Sequence, residues 1–333
     1  MLLIGRRQVR KEVSMIHREI LEKLSRITEE EQAILDGKRD IDRDLYITGG
    51  GNVIEAEKLL EKGKLITIRP HTRFVHFPKH THNYVEVVYM CQGQTVHYVN
   101  GTRIELKEGE LLFLGQGATQ EIEPASENDI AVNFIILPPF FDRTIEMISE
   151  KEVPLRHFLV ECLSGASGSP GYLYFKVSDV LPVQNLVENL LWTMVSEVPY
   201  KRSVNQMTMG LLFTHLVNQS ERLAYESKEE ETILQVFRYI EDHYQNGSLA
   251  ELAAQMHYDF YWLSRQIKRR TGKTYTELVR EKRLSQAAYL LQNTSLHVDR
   301  IGEMVGYSNM SFFHDIFQKE FGMTPKKYRD QAK

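Results

Sequence analysis

The chain has 333 residues, 42% hydrophobic and 26% charged, enough apolar material for two or three domains with cores of their own. This composition excludes collagen-like, wholly disordered and membrane-spanning chains. A net charge of −4 hides an asymmetry: residues 247–333 carry 14 Lys and Arg against 9 Asp and Glu, whereas residues 1–246 carry 27 against 36, as suits a sensor joined to a phosphate-binding module.

Met1-Leu2-Leu3-Ile4 is too short an apolar run for a signal peptide and leads directly into Gly5-Arg6-Arg7, so a cytoplasmic protein is predicted. Cys91 and Cys162 lie far apart in sequence and read as free thiols. Over residues 10–35, Val13, Ile16, Ile20, Leu24 and Ile27 form one stripe, which predicts an amphipathic helix packed on its own domain or on a second copy. Lys38–Asp44 alternates in sign and Thr48-Gly49-Gly50-Gly51-Asn52 is a turn. Residues 1–60 are thus expected to be a helical extension.

From Leu65 the period becomes two. Ile66 and Ile68, then Val85, Val87 and Tyr89, then Thr95, His97 and Val99 alternate with their neighbours, and Asn100-Gly101 is a hairpin turn. Ile104–Leu106, Leu111–Phe113 and Ala131–Leu137 continue the series, which predicts a β-barrel or jelly roll over residues 61–140. Pro138-Pro139 closes it, and Leu163–Gly171 is a Gly- and Ser-rich loop. Two helical stripes follow, Val183, Val187, Leu190, Leu191, Met194 and Val198, then Met209, Leu212, Phe213, Leu216 and Leu223. They make residues 141–228 a helical region that either covers the barrel or forms a dimer seam. Ser227–Glu231 is the end of a linker, Thr232–Asn246 a helix, and Gly247-Ser248 its stop and the next helix's cap.

The last hundred residues hold the clearest pattern. Val298, Ile301, Met304 and Val305 fall at helical spacing, Gly306-Tyr307-Ser308 interrupts, and Phe312, Phe313, Ile316, Phe317 and Phe321 resume. Ser308 stands as the expected N-cap, Gly322 as the stop, with Pro325 beyond it. The same layout occurs in Ser248–Gly272: Leu249, Leu252, Ala253 and Met256 match Val298, Ile301, Gly302 and Val305, while Leu263, Ile267 and Gly272 match Phe313, Phe317 and Gly322. A helix over Tyr275–Leu291, with Leu278, Leu284, Ala288 and Leu291 on one face, joins the two helix-turn-helix units.

This arrangement over Thr232–Arg329 resembles the DNA-binding domain of the AraC/XylS transcription regulators. His80-Thr81-His82-Asn83-Tyr84-Val85-Glu86, with Gly93 downstream, is similar to the first cupin motif, and regulators of this kind often use a cupin-like barrel as their sensor. The second cupin motif departs from its pattern, its Pro, Gly and His positions falling on Gly115, Gly117 and Gln120. Gln120 is a poor ligand beside His80, His82 and Glu86, so neither a metal nor another cofactor is expected. The fold class implied is α+β and multidomain, with the double helix-turn-helix at residues 229–333.

In the first unit, Leu263 and Ile267 face the core, so Tyr261, Ser264, Arg265 and Lys268 project to the other side. The resemblance makes Tyr261, Ser264 and Arg265 base-reading positions, Arg265 being able to bridge guanine O6 and N7, with Lys268, Arg269 and Arg270 on phosphates. The equivalent face of the second unit offers Met310, Ser311, His314 and Asp315, with Lys319 nearby; Asp315 stands where the family usually has Arg. A carboxylate repels phosphate, so the first unit is expected to carry recognition. The two recognition helices should enter successive major grooves roughly 34 Å apart. A small-molecule effector, a sugar or related metabolite, would be held by Phe74, His76, His80, His82, Tyr84, Glu86, Tyr98 and Gln120. The implied partners are promoter DNA, RNA polymerase and a second copy of the chain. The alternatives are a metal-dependent cupin enzyme fused to a DNA-binding module, and a barrel that serves only as a dimerisation scaffold.

Overall fold

The computed structural model describes residues 16–140, 171–196, 201–219, 222–224 and 228–331. In place of one N-terminal helix there are two, α1 (Arg18–Leu24) and α2 (Glu29–Leu35). Thr28 breaks them apart: its hydroxyl accepts from the Glu31 amide while the Glu31 carboxylate accepts from the Thr28 amide, and this reciprocal cap starts a new helix. Ile16, Ile20 and Leu24 are buried as the stripe requires, whereas Ile27 falls in the break and is 39% exposed. Val13 lies outside the described residues.

After a 3-10 turn (Arg43–Leu45) come β1 (Val53–Ile54) and the short α3 (Ala56–Leu59). β1 pairs in parallel with β3 (Phe77–His82), Val53 opposite Thr81 and Ile54 opposite His82. The N-terminal segment is therefore not only helical; it supplies a strand to the barrel.

The remaining strands are β2 (Ile66–Pro70), β4 (Val85–Gln92), β5 (Gln94–Val99), β6 (Thr102–Lys107), β7 (Leu111–Leu114), β8 (Gln120–Ile122), β9 (Ile130–Ile136), β10 (Tyr172–Phe175) and β11 (Leu223–Ala224). They form two sheets, in the orders β1-β3-β8-β5-β6 and β11-β10-β7-β4-β9-β2, the double-sheet barrel that the alternation predicts. At the tip between β5 and β6, Asn100 and Gly101 both have positive φ, 52° and 89°, as a two-residue hairpin loop of this hand needs.

β4 sits in the middle of the larger sheet and shows how the barrel is filled. Its odd positions, Val85, Val87, Tyr89 and Cys91, join the core under the helices, while Val88 and Met90 join the core between the sheets. Period two then turns Glu86 inward with Val88 and Met90. The Cys91 thiol is free and buried, and burial pushes its pKa up. Cys162 lies outside the described residues, as does all of the predicted 163–171 loop except Gly171.

Two helices, α4 (Leu181–Val195) and α5 (Lys201–Asn218), pack on the outer face of the six-stranded sheet. Val183, Val187, Leu190 and Leu191 of the first and Met209, Leu212, Phe213 and Leu216 of the second are buried there. Leu223, expected on the second stripe, lies beyond the helix in β11 and pairs with β10. Val198 is outside the described residues. The C-terminal part is helical among the described residues: α6 (Lys228–His243), α7 (Leu249–Gln255), α8 (Phe260–Thr271), α9 (Tyr275–Asn293), α10 (Val298–Met304), α11 (Met310–Phe321) and α12 (Pro325–Gln331).

Candidate DNA-reading surface and sensor cavity

Helices α7 and α8 make the first helix-turn-helix. Ser248 and Glu251 cap α7 reciprocally, Asp259 caps α8 by accepting from the Trp262 amide at 2.8 Å, and Gly272 ends α8 at φ 69°. Leu263 and Ile267 are fully buried, which turns the opposite face outward. Tyr261 is 72% exposed, Arg265, Lys268 and Arg269 are exposed, and Ser264 is half-buried. Lys268 lies 3.5 Å from Glu277, an exposed pair too weak to withhold it from a phosphate.

Helices α10 and α11 make the second unit. Here Asn309, not Ser308, is the N-cap; its side chain accepts from the Phe312 amide at 3.0 Å. Phe313 and Phe317 are buried, while Ser311, Asp315 and Lys319 are exposed. His314 is half-buried with Nε2 3.5 Å from Asp299. Met310 departs from expectation: it is half-buried and packs on Gly302, where an added Cβ would stand 2.8 Å from its sulfur. Its side chain serves helix packing more than the outer face.

The two units are locked together. Lys282 of α9 is buried in an ion pair with Glu241 of α6, and Arg283 donates to the Tyr244 and Gln245 carbonyls at 2.7 and 2.8 Å. Gly306, in the turn of the second unit at φ 95°, lies so close to the Gln245 carbonyl that a side chain there would collide with it. The Arg283 guanidinium also covers the Tyr307 ring, 5.4 Å from its centroid. The end of α6, helix α9 and the second turn thus move as one piece.

Inside the barrel, buried polar groups gather around a cavity of about 30 Å³. Of the predicted effector residues, His80, Tyr84, Glu86 and Gln120 line it, and His82 is buried beside them. Phe74 lies outside, packed against the neighbouring apolar cluster. His76, just before β3, is exposed and engages Glu121 at 2.8 Å, and Tyr98 of β5 donates to Glu123 at 2.7 Å on the face turned away from the interior. Sequence reasoning missed Tyr46, Arg69, His71, Thr72 and Asn133, which also line the cavity. Arg69 and His71 alternate with Ile66 and Ile68, so the same period-two rule points them inward; Tyr46 had no such signal.

The electrostatics are those of a dry site. Burial pushes the Glu86 carboxyl up to about 7, partly opposed by hydrogen bonds from Asn133 and Gln120. Burial lowers His71 to about 4 and holds His80, His82 and His97 below the usual histidine range. Gln120 bridges His80 Nε2 and His97 Nδ1, each at 3.0 Å. His71 Nε2, both ring nitrogens of His82 and Glu86 Oε2 have no hydrogen-bond partner. His82 Nε2 and Glu86 Oε2 stand 3.7 Å apart, too far for a hydrogen bond but close enough to interact electrostatically. Among the described residues no three His, Cys, Asp or Glu side chains are placed to hold a metal ion.

The N-terminal segment roofs this cavity. Glu30 accepts from Tyr46 Oη at 2.6 Å and Arg69 Nη2 at 2.7 Å, and Tyr46, Ile54 and Leu59 line the cavity wall. Beside it, fully buried Glu31 accepts from the Arg73 amide, Nε and Nη2 at 2.7–3.1 Å. Burial alone would raise the Glu31 pKa, but these bonds outweigh it and hold the carboxyl low.

Comparison with known proteins bears on both halves. Residues 62–237 match the model of an AraC-like ligand binding domain, and residues 252–331 that of a helix-turn-helix domain. The chain is 26% identical over 267 residues to the HTH-type transcriptional activator RhaR of Enterobacter sp. (strain 638), covering 77% of this chain and 88% of that one. RhaR of Shigella flexneri serotype 5b is 26% identical over 262 residues, 76% and 87% of the two chains. Among solved structures, ToxT from Vibrio cholerae is 15% identical and covers 79% of this chain and 97% of its own, with a TM-score of 0.33. The C-terminal domain of AraT, a response regulator from Geobacillus stearothermophilus, is 30% identical over 32% of this chain and 88% of its own, with a TM-score of 0.30. No helix among the described residues is long and apolar enough to cross a membrane. With more than half of its length matched by the ligand-binding model and a pair of locked helix-turn-helix units behind it, the chain belongs to the AraC family of DNA-binding, ligand-responsive transcription regulators.

Proposed function

We propose that the chain is a cytoplasmic, non-enzymatic transcriptional activator that binds promoter DNA as a homodimer and acts on RNA polymerase. The activators named RhaR, similar over most of their length, support this reading. Residues 16–60 and 61–140 work as one sensor, 141–228 carries the dimer seam, and 229–333 binds DNA. Trp192 on α4 and Val204, Met207 and Leu211 on α5 are exposed apolar side chains suited to that seam. In the first unit Tyr261, Ser264 and Arg265 read bases while Lys268 and Arg269 hold phosphates; Ser311, His314, Asp315 and Lys319 are the counterpart in the second.

The observation that carries the effector half is the set of orphaned polar atoms on His71, His82 and Glu86 around the cavity. Neutral imidazoles, the Glu86 carboxyl and the Gln120 and Asn133 amides, with the Arg69 guanidinium already paired to Glu30, make a donor and acceptor lining with the chemistry for a small polyol such as a sugar. At about 30 Å³ the cavity admits a water-sized guest, so a metabolite must lift the roof of Tyr46, Ile54 and Leu59. The same small volume favours the second reading, a barrel that is a scaffold only. Thermal denaturation against a metabolite library decides: a ligand at 100 times its dissociation constant should stabilise by about 2.7 kcal/mol. No stabilisation by any neutral polyol would favour the scaffold. For the DNA half, selection of duplexes from a random pool should enrich a site spanning about two helical turns.

A further inference from the structure

A larger opening lies at the other side of the barrel. Where β6, the last strand of the five-stranded sheet, faces β10 of the six-stranded sheet, a cleft of about 390 Å³ opens, within the range of small-molecule sites and far roomier than the interior cavity. Its floor is apolar but narrow, since Tyr172, Tyr174 and Ile104 are each only 5–7% exposed. Buried Glu110 is engaged within the protein, accepting from the Lys107 amide at 2.8 Å and from Tyr174 Oη at 2.5 Å. The rim is cationic. Arg103 and Lys107 share the single carboxylate of Glu105 at 3.5 and 3.6 Å, in exposed pairs that hold neither cation firmly. Lys176 stands exposed over the Tyr174 ring, 5.5 Å from its centroid. Three cations, Arg103, Lys107 and Lys176, thus stand against two carboxylates, Glu105 and Glu110, around this cleft.

The walls of this cleft are tied to the helices by one side chain. Gln184 of α4 is 5% exposed and donates to the Gly109 carbonyl at 2.9 Å and the Val177 carbonyl at 2.8 Å. Gly109 adjoins Glu110 on one wall, and Val177 adjoins Lys176 on the other. Anything that spreads or draws together these walls moves the two anchors of α4.

We propose that this cleft is a second effector site, separate from the interior cavity, which takes a small organic anion with an apolar body and acts on α4 through Gln184. The anionic group sits among Lys107, Lys176 and Arg103, and the apolar body fills the cleft between β6 and β10.

The test uses the full chain with 2-naphthoate as probe and uncharged 2-naphthamide as its control, read by equilibrium dialysis. Saturable 2-naphthoate binding is expected, at least tenfold tighter than the amide, and weakened tenfold or more in the Lys107→Glu/Lys176→Glu double variant. Both lysines are exposed, so the variant should keep the wild-type melting temperature, which is checked alongside. Equal binding to the variant, equal binding of acid and amide, or no saturable binding overturns the site. Hydrogen exchange across residues 181–195 should change on adding 2-naphthoate to the wild type and not to Gln184→Ala, which retains binding. An unchanged exchange pattern in the wild type overturns the coupling to α4. None of these readouts depends on promoter binding or on the interior cavity.

Discussion

The two halves of this molecule keep their polar function on opposite sides of their structure. In the DNA-binding half the core positions of α8 and α11 are filled by Leu263, Ile267, Phe313 and Phe317, and the side chains proposed to touch DNA stand outside, where they bear no load in folding. In the sensor the functional groups are inside, so His71, Glu86 and the Glu31–Arg73 pair belong to the fold as much as to the site. Substitutions should therefore separate: inward ones change stability, outward ones change affinity alone.

The largest expected effect is at the roof of the sensor. Arg73→Ala leaves Glu31 buried without its cation and should cost about 3–5 kcal/mol of stability at pH 7 in denaturant titration. The Glu31 carboxyl is held low in the fold, so its contribution is present above the ordinary carboxylate pKa and fades as acid protonates it. The loss in the variant should accordingly shrink below pH 4. Next comes the locked turn of the second unit: Gly306→Ala brings both a left-handed backbone and a collision with the Gln245 carbonyl, for about 2–4 kcal/mol. A variant as stable as the wild type would show that the two units are not locked.

Glu86→Gln tests the dry interior. Because the folded carboxyl titrates near 7 and a free one near 4.5, the wild type loses stability as pH rises through that window. The glutamine removes the loss, so the variant should be more stable by about 2–3 kcal/mol at pH 8 and indistinguishable from the wild type at pH 4. A difference independent of pH would place Glu86 in water. Turning to the outward face, Arg265→Ala should weaken binding to the selected duplex by about 1–3 kcal/mol, up to a hundredfold or so, with an unchanged melting temperature. Asp315→Ala should change affinity by less than about 0.5 kcal/mol, because this side chain is exposed and like-charged to phosphate. A larger loss from Asp315 than from Arg265 reverses the ranking of the two units.

The same contrast governs how much could be read from the sequence. In the C-terminal half a repeat of apolar residues at helical spacing defined both units, and the exposed residues followed from the geometry of a helix. The cap was misplaced by one residue, since Ser308 and Asn309 are both good caps and the local competition between them is not written in spacing, and Met310 turned toward Gly302 instead of the outer face. In the sensor, alternation found the central strands, and the resemblance to the cupin motifs picked out His80, His82, Glu86 and Gln120. The same alternation turns Tyr98, between inward His97 and Val99, to the outer face, opposite Arg103 and Glu121, whereas His76 precedes β3 and has no strand phase to read. Nor could any local pattern place Tyr46 or Glu30 against Arg69, 23 and 39 residues away by number; that contact exists because the N-terminal segment folds back over the barrel.

That folding back includes a stitch. The Asn52 carbonyl accepts from the Thr81 amide at 2.9 Å and the Ile54 carbonyl from the Asn83 amide at 3.2 Å, which covers the outer margin of the five-stranded sheet. A recombinant fragment cut to begin near residue 62, where the match to the ligand-binding model starts, would bare that margin and offer its unpaired amides to any extended chain nearby. The two-residue strand thus works as a guard against edge-to-edge association, and shortening the protein from its front would turn the regulator into a seed of aggregation.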